Sequence, residues 1–299
     1  MQKTVIIIAG PTAVGKTSVA IDVARHFQTE IISADSRQCY KELNIGVARP
    51  SAEELSAVTH HFIATHSIHD RVTAADFESY ALQKCSALFD KKDIVVMVGG
   101  TGLYIKAFCE GLDPIPEVPL LIRASVIEEY KQKGLAWLQQ QVQIHDPLFY
   151  ASAEIKNPHR LMRALEVYRA TGRSVNNFKT GKKAKRDFNI ISTGLELPKE
   201  ELVSRIHQRV DNMMQMGLET EARSLLPYQH LNALQTVGYK ELFSHFNGSC
   251  SLNEAVDLIK KNTRQYAKRQ MTWFKKYPGY KWFPPDALPV IHWLQSSIH

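Results

Sequence analysis

The sequence predicts an α/β fold, a parallel sheet flanked by helices and interrupted by a mainly helical insertion, and three observations carry that prediction. Apolar runs rich in Val and Ile at residues 5–9, 30–34 and 93–98 alternate with longer amphipathic stretches, the pattern of buried parallel strands joined by crossover helices. The first run ends in Gly10-Pro11-Thr12-Ala13-Val14-Gly15-Lys16-Thr17 and passes at once into the helix-like Ser18-Val19-Ala20-Ile21-Asp22-Val23-Ala24. Beyond Gly111 the strand and helix rhythm stops, helical periodicity takes over, and a last apolar run at 187–195 returns the chain to the sheet. These shifts divide the chain into a sheet domain of residues 1–113 and 187–299 and an insertion of residues 114–186.

Strand, glycine loop and helix in that order form a phosphate-binding loop, so the sheet domain is expected to be P-loop NTPase-like. Gly10 and Gly15 let the backbone turn tightly, so that the loop of Pro11, Thr12, Ala13, Val14, Gly15, Lys16 and Thr17 wraps an anion with the amides from Thr12 to Thr17 facing it. Lys16 adds a point charge, the Thr17 hydroxyl is the candidate ligand for Mg²⁺, and the helix adds its positive end. A diphosphate or triphosphate is the expected ligand.

The second strand, residues 30–34, delivers Asp35-Ser36-Arg37-Gln38 at its carboxyl end, where ligands gather in open α/β sheets. Asp35 is therefore either a reacting group beside the phosphate loop or a cap for the next turn. The histidines at 60, 61, 66 and 69 lack the Cys or carboxylate partners of a zinc site, and phosphate chemistry uses Mg²⁺ on oxygen ligands. Thr73-Ala74-Ala75-Asp76 opens a crossover helix whose apolar stripe includes Phe77, Tyr80, Ala81 and Leu88. The third strand ends in Gly99-Gly100-Thr101-Gly102-Leu103-Tyr104, with no Asp to hold Mg²⁺ as in many nucleotide hydrolases. Its glycines permit close backbone approach, and Thr101 offers a hydroxyl.

Within the insertion, helical periodicity covers residues 123–138 and 157–171, with Gly172 as a stop, and a basic segment follows at 179–186. After Pro198 a helix places Arg205 and Arg209 on one face, either as solvated charges or as a clamp on a diphosphate. Ser251-Leu252-Asn253-Glu254 is a capping box for a long helix carrying Lys260, Lys261, Arg264, Lys268 and Arg269 among Tyr266, Trp273, Phe274 and Tyr277. That basic face fits a nucleic-acid backbone.

The chain has 299 residues, 44% of them apolar, enough for a large core, and a formal charge of +7 that suits a polyanionic partner. Its four cysteines form no Cys-x-x-Cys pair and read as reduced thiols, and no apolar stretch is long enough to span a bilayer. The N-terminal apolar run reads as a strand rather than a signal peptide. A cytoplasmic protein is expected.

Taken together, the stretches 10–17, 31–38 and 99–104, Arg160 with Arg163-Ala164-Leu165-Glu166-Val167-Tyr168, residues 237–242 and residues 262–270 resemble the bacterial tRNA dimethylallyltransferases along nearly the whole chain. The resemblance implies transfer of a dimethylallyl group from dimethylallyl diphosphate to N6 of adenosine 37, just 3′ of the anticodon, in tRNAs that read codons beginning with U. No nucleotide is consumed, in keeping with the missing Asp after the third strand. By carry-over, Asp35 is the general base, Thr101 a hydrogen-bond partner of the extruded adenine, and Lys16, Thr17 with Mg²⁺ and one of Arg205 and Arg209 the diphosphate clamp. Asp35, Ser36, Arg37, Gln38, Thr101, Arg123, His159, Arg160, Leu161, Met162 and Arg163 are the implied tRNA contacts, and the insertion is an arm on the anticodon stem-loop. A monomer is expected. Departures are modest: Pro158 stands where an acidic residue often precedes its helix, Val47 replaces a frequent threonine, and Cys39 an aliphatic residue. The rival readings are a small-molecule kinase using ATP on the same loop, and an RNA-binding protein with a vestigial loop.

Overall fold

The computed structural model describes residues 2–298. Its sheet contains β1 (Thr4–Ala9), β2 (Ile31–Ser33), β3 (His60–His61), β4 (Ile94–Gly99), β5 (Asn189–Leu195) and β6 (Tyr280–Phe283). The strand order is β3-β2-β4-β1-β5-β6, and every neighbouring pair is parallel. β1 is central and wholly buried, which is why it reads as an unbroken apolar run rather than an alternating one. Its side chains divide between two cores: Val5, Ile7 and Ala9 join one, Ile6 and Ile8 the other.

Helices cover both faces of the sheet. α1 (Lys16–His26) brings Val19, Ala20, Val23 and Ala24 to the core of Ile6 and Ile8. α2 (Ala52–Ala57) is a short surface helix opened by a Ser51/Glu54 capping box. α3 (Ala74–Phe89) and α4 (Gly102–Glu110) supply Phe77, Ala81, Tyr104 and Phe108 to the opposite core. The expected start of α3 is present as a reciprocal Thr73/Asp76 capping box.

Contacts divide the chain into two compact units, residues 1–110 with 185–299, and residues 111–184. The smaller unit is built from α5 (Leu120–His145), α6 (Pro147–Ser152) and α7 (Pro158–Thr171) around Val126, Leu138, Val142, Leu161 and Leu165. α5 starts earlier and ends later than its periodicity suggests, and Gly134 breaks it with φ 76°. Asn157 caps α7, Pro158 takes its first turn, where a missing N–H costs nothing, and Gly172 ends it in the left-handed region.

After β5 the larger unit continues with α8 (Lys199–Gln215), α9 (Leu218–Leu225), α10 (Tyr239–Phe246) and α11 (Leu252–Lys276), then β6 and α12 (Ala287–Ser297). α11 opens with the expected Ser251/Glu254 capping box. Two strands escaped the sequence reading. β3 is two half-buried residues and β6 four, both at sheet edges, where one-sided pairing leaves little apolar pattern. The histidine pair at 60 and 61 is thus edge strand, with His61 Nε2 2.6 Å from Glu30 Oε2.

Candidate active site

The phosphate loop leaves β1 at Ala9 and enters α1 at Lys16, with Gly15 as its cap at φ 104°. A Cβ on Gly10 would lie 2.7 Å from the Leu195 carbonyl oxygen, so only glycine lets the loop pass the end of β5. Ala13 also takes a left-handed conformation, φ 65°, which costs a residue with a side chain about 1 kcal/mol and marks a constrained turn. Lys16 Nζ donates to the Pro11 carbonyl at 2.7 Å, curling the side chain over the loop. Burial, reinforced by the Arg209 guanidinium and opposed by Asp35, pulls the Lys16 pKa down to about 7.

From α8, Arg209 Nη1 donates to Thr12 Oγ1 at 3.3 Å and Arg205 Nη1 to the Val14 carbonyl at 3.4 Å. Both therefore reach the loop from the face they share. Arg205 is the more exposed and also pairs with Glu201 at 2.9 Å. Burial lowers the Arg209 pKa, while Asp35 and Glu54 work to keep its charge.

Asp35 follows β2. Its Oδ1 accepts the N–H groups of Arg37 at 2.9 Å and Gln38 at 3.2 Å, so the carboxylate does cap its own turn. Both bonds fall on Oδ1, which leaves Oδ2 for a substrate proton. The Thr101 hydroxyl accepts the Ser36 N–H at 3.0 Å and donates to Ser36 Oγ at 3.3 Å, tying the end of β4 to the turn that holds Asp35. Gln38 spends its amide on the Ala48 and Val47 carbonyls at 2.9 and 3.3 Å, and Arg37 spends part of its guanidinium on the Asn232 carbonyl at 2.9 Å.

Two cavities meet here. One, of about 310 Å³, is lined by Lys16, Thr17, Glu54 and Arg205 among others. The other, of about 500 Å³, is lined by Arg37, Thr236, Lys240, Asn262, Gln265 and Arg269 among others. Thr12, Asp35, Val47, Arg209 and Tyr266 line both, so Asp35 stands where the chamber of the phosphate loop opens into a larger one, with cations on both sides of it. Among the described residues no group of three or more His, Cys, Asp or Glu is placed to hold a metal ion by itself. The oxygen of Thr17 fits a hard cation whose other ligands come from a bound phosphate.

In the helical unit, Glu166 is buried and receives two of the predicted tRNA-binding residues: Arg123 Nε lies 3.9 Å from Oε1 and Arg163 Nη1 3.6 Å from Oε2. Arg160 is exposed and pairs with Glu154 at 3.6 Å, and His159 is exposed beside it. Met162 is half-buried. Leu161 has no exposed surface and packs in the core of this unit, so its side chain is out of reach of any surface ligand and only its backbone is left for such a contact.

Sequence reasoning missed the residues that brace the site from a distance. Glu221 on α9 accepts the N–H groups of Ile45 and Gly46 at 2.8 and 3.0 Å and the Tyr239 hydroxyl at 2.6 Å, fixing the loop that carries Val47. Gln270 on α11 accepts the Thr12 N–H at 2.8 Å and donates to the Gly100 carbonyl at 2.9 Å. Only the glycines signalled such packing. A Cβ on Gly99 would lie 2.2 Å from the Ala34 oxygen, on Gly100 2.2 Å from Gln270 Nε2, and on Gly102 2.1 Å from the Trp273 ring.

The IPP transferase family matches residues 38–277 of this chain. The chain is 50% identical to the tRNA dimethylallyltransferase of Christiangramia forsetii, covering 100% of both proteins. It is 45% identical to the tRNA dimethylallyltransferase of Cytophaga hutchinsonii, over 97% of this chain and 96% of that one. Among solved structures, the full-length tRNA isopentenylpyrophosphate transferase from Bacillus halodurans matches with a TM-score of 0.72 and 31% identity, over 99% of this chain and 96% of that one.

Proposed function

The chain belongs to the IPP transferase family of prenyl-transferring enzymes, and from that premise we propose that it moves the dimethylallyl group of dimethylallyl diphosphate onto N6 of the adenosine just 3′ of the anticodon, in tRNAs that read codons beginning with U. The observation that carries this reading is Asp35 at the junction of the two cavities, with the phosphate loop, Lys16 and Arg205 in one and Arg37, Lys240 and Arg269 in the other.

The donor's diphosphate belongs in the smaller chamber, on the loop amides with Lys16, Arg205 and Arg209. There the fixed N–H dipoles and cations stabilise charge that grows as the C–O bond breaks. Thr17 would hold Mg²⁺, which when bound supplies further positive charge to the leaving diphosphate. The adenine enters from the larger chamber. A base stacked in an anticodon loop cannot reach a carboxylate set in this crevice, so it must be flipped out, and the Thr101 hydroxyl, which bonds Ser36 on the turn that holds Asp35, would exchange that partner to receive it. N6 attacks the allylic carbon, the C–N bond forms as the C–O bond breaks, and Asp35 Oδ2 takes the N6 proton. The products are N6-(dimethylallyl)adenosine in tRNA and diphosphate.

Arg123, His159, Arg160, Met162 and Arg163 then belong to an arm on the anticodon stem-loop, where the three arginines meet phosphates. These steps call on no residue of a second copy, in keeping with a monomer. Among the described residues no helix is long and apolar enough to cross a membrane, and the reading sets the enzyme in the cytosol with its tRNA.

A transfer assay tests this directly: radiolabelled dimethylallyl diphosphate, Mg²⁺, and an unmodified tRNA with adenine or guanine at the target position. Label on the adenine tRNA alone is expected. No label on either, together with ATP-dependent phosphorylation of a small acceptor, would replace this reading with the kinase one.

A further inference from the structure

Gln270 sits in the C-terminal third of α11, and its amide is buried, with 7% of the residue exposed. It makes two bonds of opposite sense to two different loops. Oε1 accepts the N–H of Thr12 in the phosphate loop at 2.8 Å, and Nε2 donates to the carbonyl of Gly100 after β4 at 2.9 Å. The absence of a side chain at Gly100 is what admits it, since a Cβ there would lie 2.2 Å from Nε2.

Each loop belongs to a different half of the reaction. Thr12 is also held through its hydroxyl by Arg209 and borders both cavities. Gly100 precedes Thr101, whose N–H donates to Ala34 at 3.2 Å and whose hydroxyl accepts from Ser36 at 3.0 Å. Ala34 and Ser36 flank Asp35, so the path Thr12, Gln270, Gly100, Thr101, Asp35 is a continuous run of hydrogen bonds and covalent links from the leaving-group cradle to the base.

We propose that Gln270 is a positioning residue that fixes the separation between the diphosphate cradle and the Asp35 turn. The inference rests on the transfer reaction above, in which the breaking C–O bond and the attacked N6 must be held in line between those two loops. A primary amide suits the task because it is neutral, buries no charge, and satisfies one donor and one acceptor at once. Misplacement of reacting groups by about 1 Å costs on the order of 10²-fold in rate without weakening ground-state binding.

Steady-state transfer with labelled dimethylallyl diphosphate and unmodified tRNA, on wild type, Gln270→Met and Gln270→Glu, tests the proposal. Gln270→Met fills the volume without the amide. It should lower kcat about 10²-fold, while the donor KM and tRNA Kd move less than about threefold. Gln270→Glu keeps the shape but, when ionised, turns a charge on the Gly100 carbonyl. Burial acts to raise that carboxyl's pKa, against Lys16, Arg205 and Arg209 in the same cavity, and its protonated form can donate as the amide does. Its kcat relative to wild type should therefore recover as pH falls from about 8 to about 6. A Met variant with wild-type kcat, or one that loses donor affinity alone, overturns the proposal. So does a Glu variant whose kcat keeps a constant ratio to wild type across that range, a readout that stands even if Gln270→Met fails to fold. A wild-type protein that transfers no label would overturn the assigned reaction instead, so the two failures are distinct.

Discussion

The sheet unit and the helical unit hold their charges in opposite ways. In the sheet unit Lys16 and Arg209 line one chamber, burial lowers the pKa of both, and the Arg209 charge lowers that of Lys16 further. In the helical unit Arg123 and Arg163 share the buried carboxylate of Glu166, and Arg169 meets Glu129 at 2.5 Å. In the first arrangement Asp35 and Glu54 offset the crowded cations only from a distance, while in the second each arginine has a carboxylate within 4 Å. Cations held together without a direct ion pair are preorganised for a charge that arrives with substrate, whereas an arginine with its own counterion gains less from a phosphate, because it exchanges one partner for another.

The largest effect should come from the group at the junction. Asp35→Asn keeps the shape and removes the base, so kcat should fall about 10²- to 10⁴-fold while tRNA affinity stays within about twofold. Near-normal turnover would take Asp35 out of the mechanism and leave it only the backbone bonds it makes to Arg37 and Gln38.

Arg209→Ala should come next, lowering kcat about 10²- to 10³-fold through a lost partner for the leaving group. The same measurement on Arg205→Ala sharpens the choice between them. Arg205 is more exposed and shares its guanidinium with Glu201, so its loss should be smaller. Equal losses would mean that both hold the diphosphate.

Removing an arginine from the helical unit should act on affinity instead. Arg123→Ala should weaken tRNA binding several-fold and reduce the salt slope of log K by about one, with kcat at saturating tRNA unchanged. An unchanged slope would mean that Arg123 serves Glu166 alone, and the contrast between the units would then be one of structure and not of binding.

How much of this was legible depends on how far apart the partners lie. The run β1, loop and α1 was readable because an apolar strand, two glycines and a helix start are neighbours in sequence. The Thr73/Asp76 and Ser251/Glu254 boxes and the Gly172 stop were readable for the same reason. Arg205 and Arg209 could be set on one helix face from their spacing, but their separate holds on Val14 and Thr12 depend on where α8 lies against the loop. Gln270 meets Thr12 across 258 positions, and nothing local to α11 marks it. Leu161 shows the converse. A contiguous run from 159 to 163 was carried over whole, yet a helix must turn some of its positions inward, and this one faces the core.

The smallest effect concerns the sheet unit without its ligand, and it lies far from the chemistry. His60 on edge strand β3 has Nδ1 2.8 Å from the Val58 carbonyl, and its buried Nε2 has no hydrogen-bond partner. With Nδ1–H donating to Val58, Nε2 is bare, and protonating it would bury an N–H with nothing to accept it. Burial therefore lowers the His60 pKa, with neighbouring His61 adding to the shift, while the Val58 carbonyl and Glu54 oppose it. Because the folded pKa is depressed below the usual value of about 6.5, the unfolded chain takes up the proton first, and stability present above that value is lost as pH falls. Chemical unfolding between about pH 7.5 and 5.5 should show a shallower loss for His60→Phe than for wild type, the difference approaching at most about 1.4 kcal/mol per pH unit. Coincident slopes would mean that the edge strand tolerates the imidazolium by opening locally, which two residues paired to a single neighbour at the rim of a sheet are placed to do.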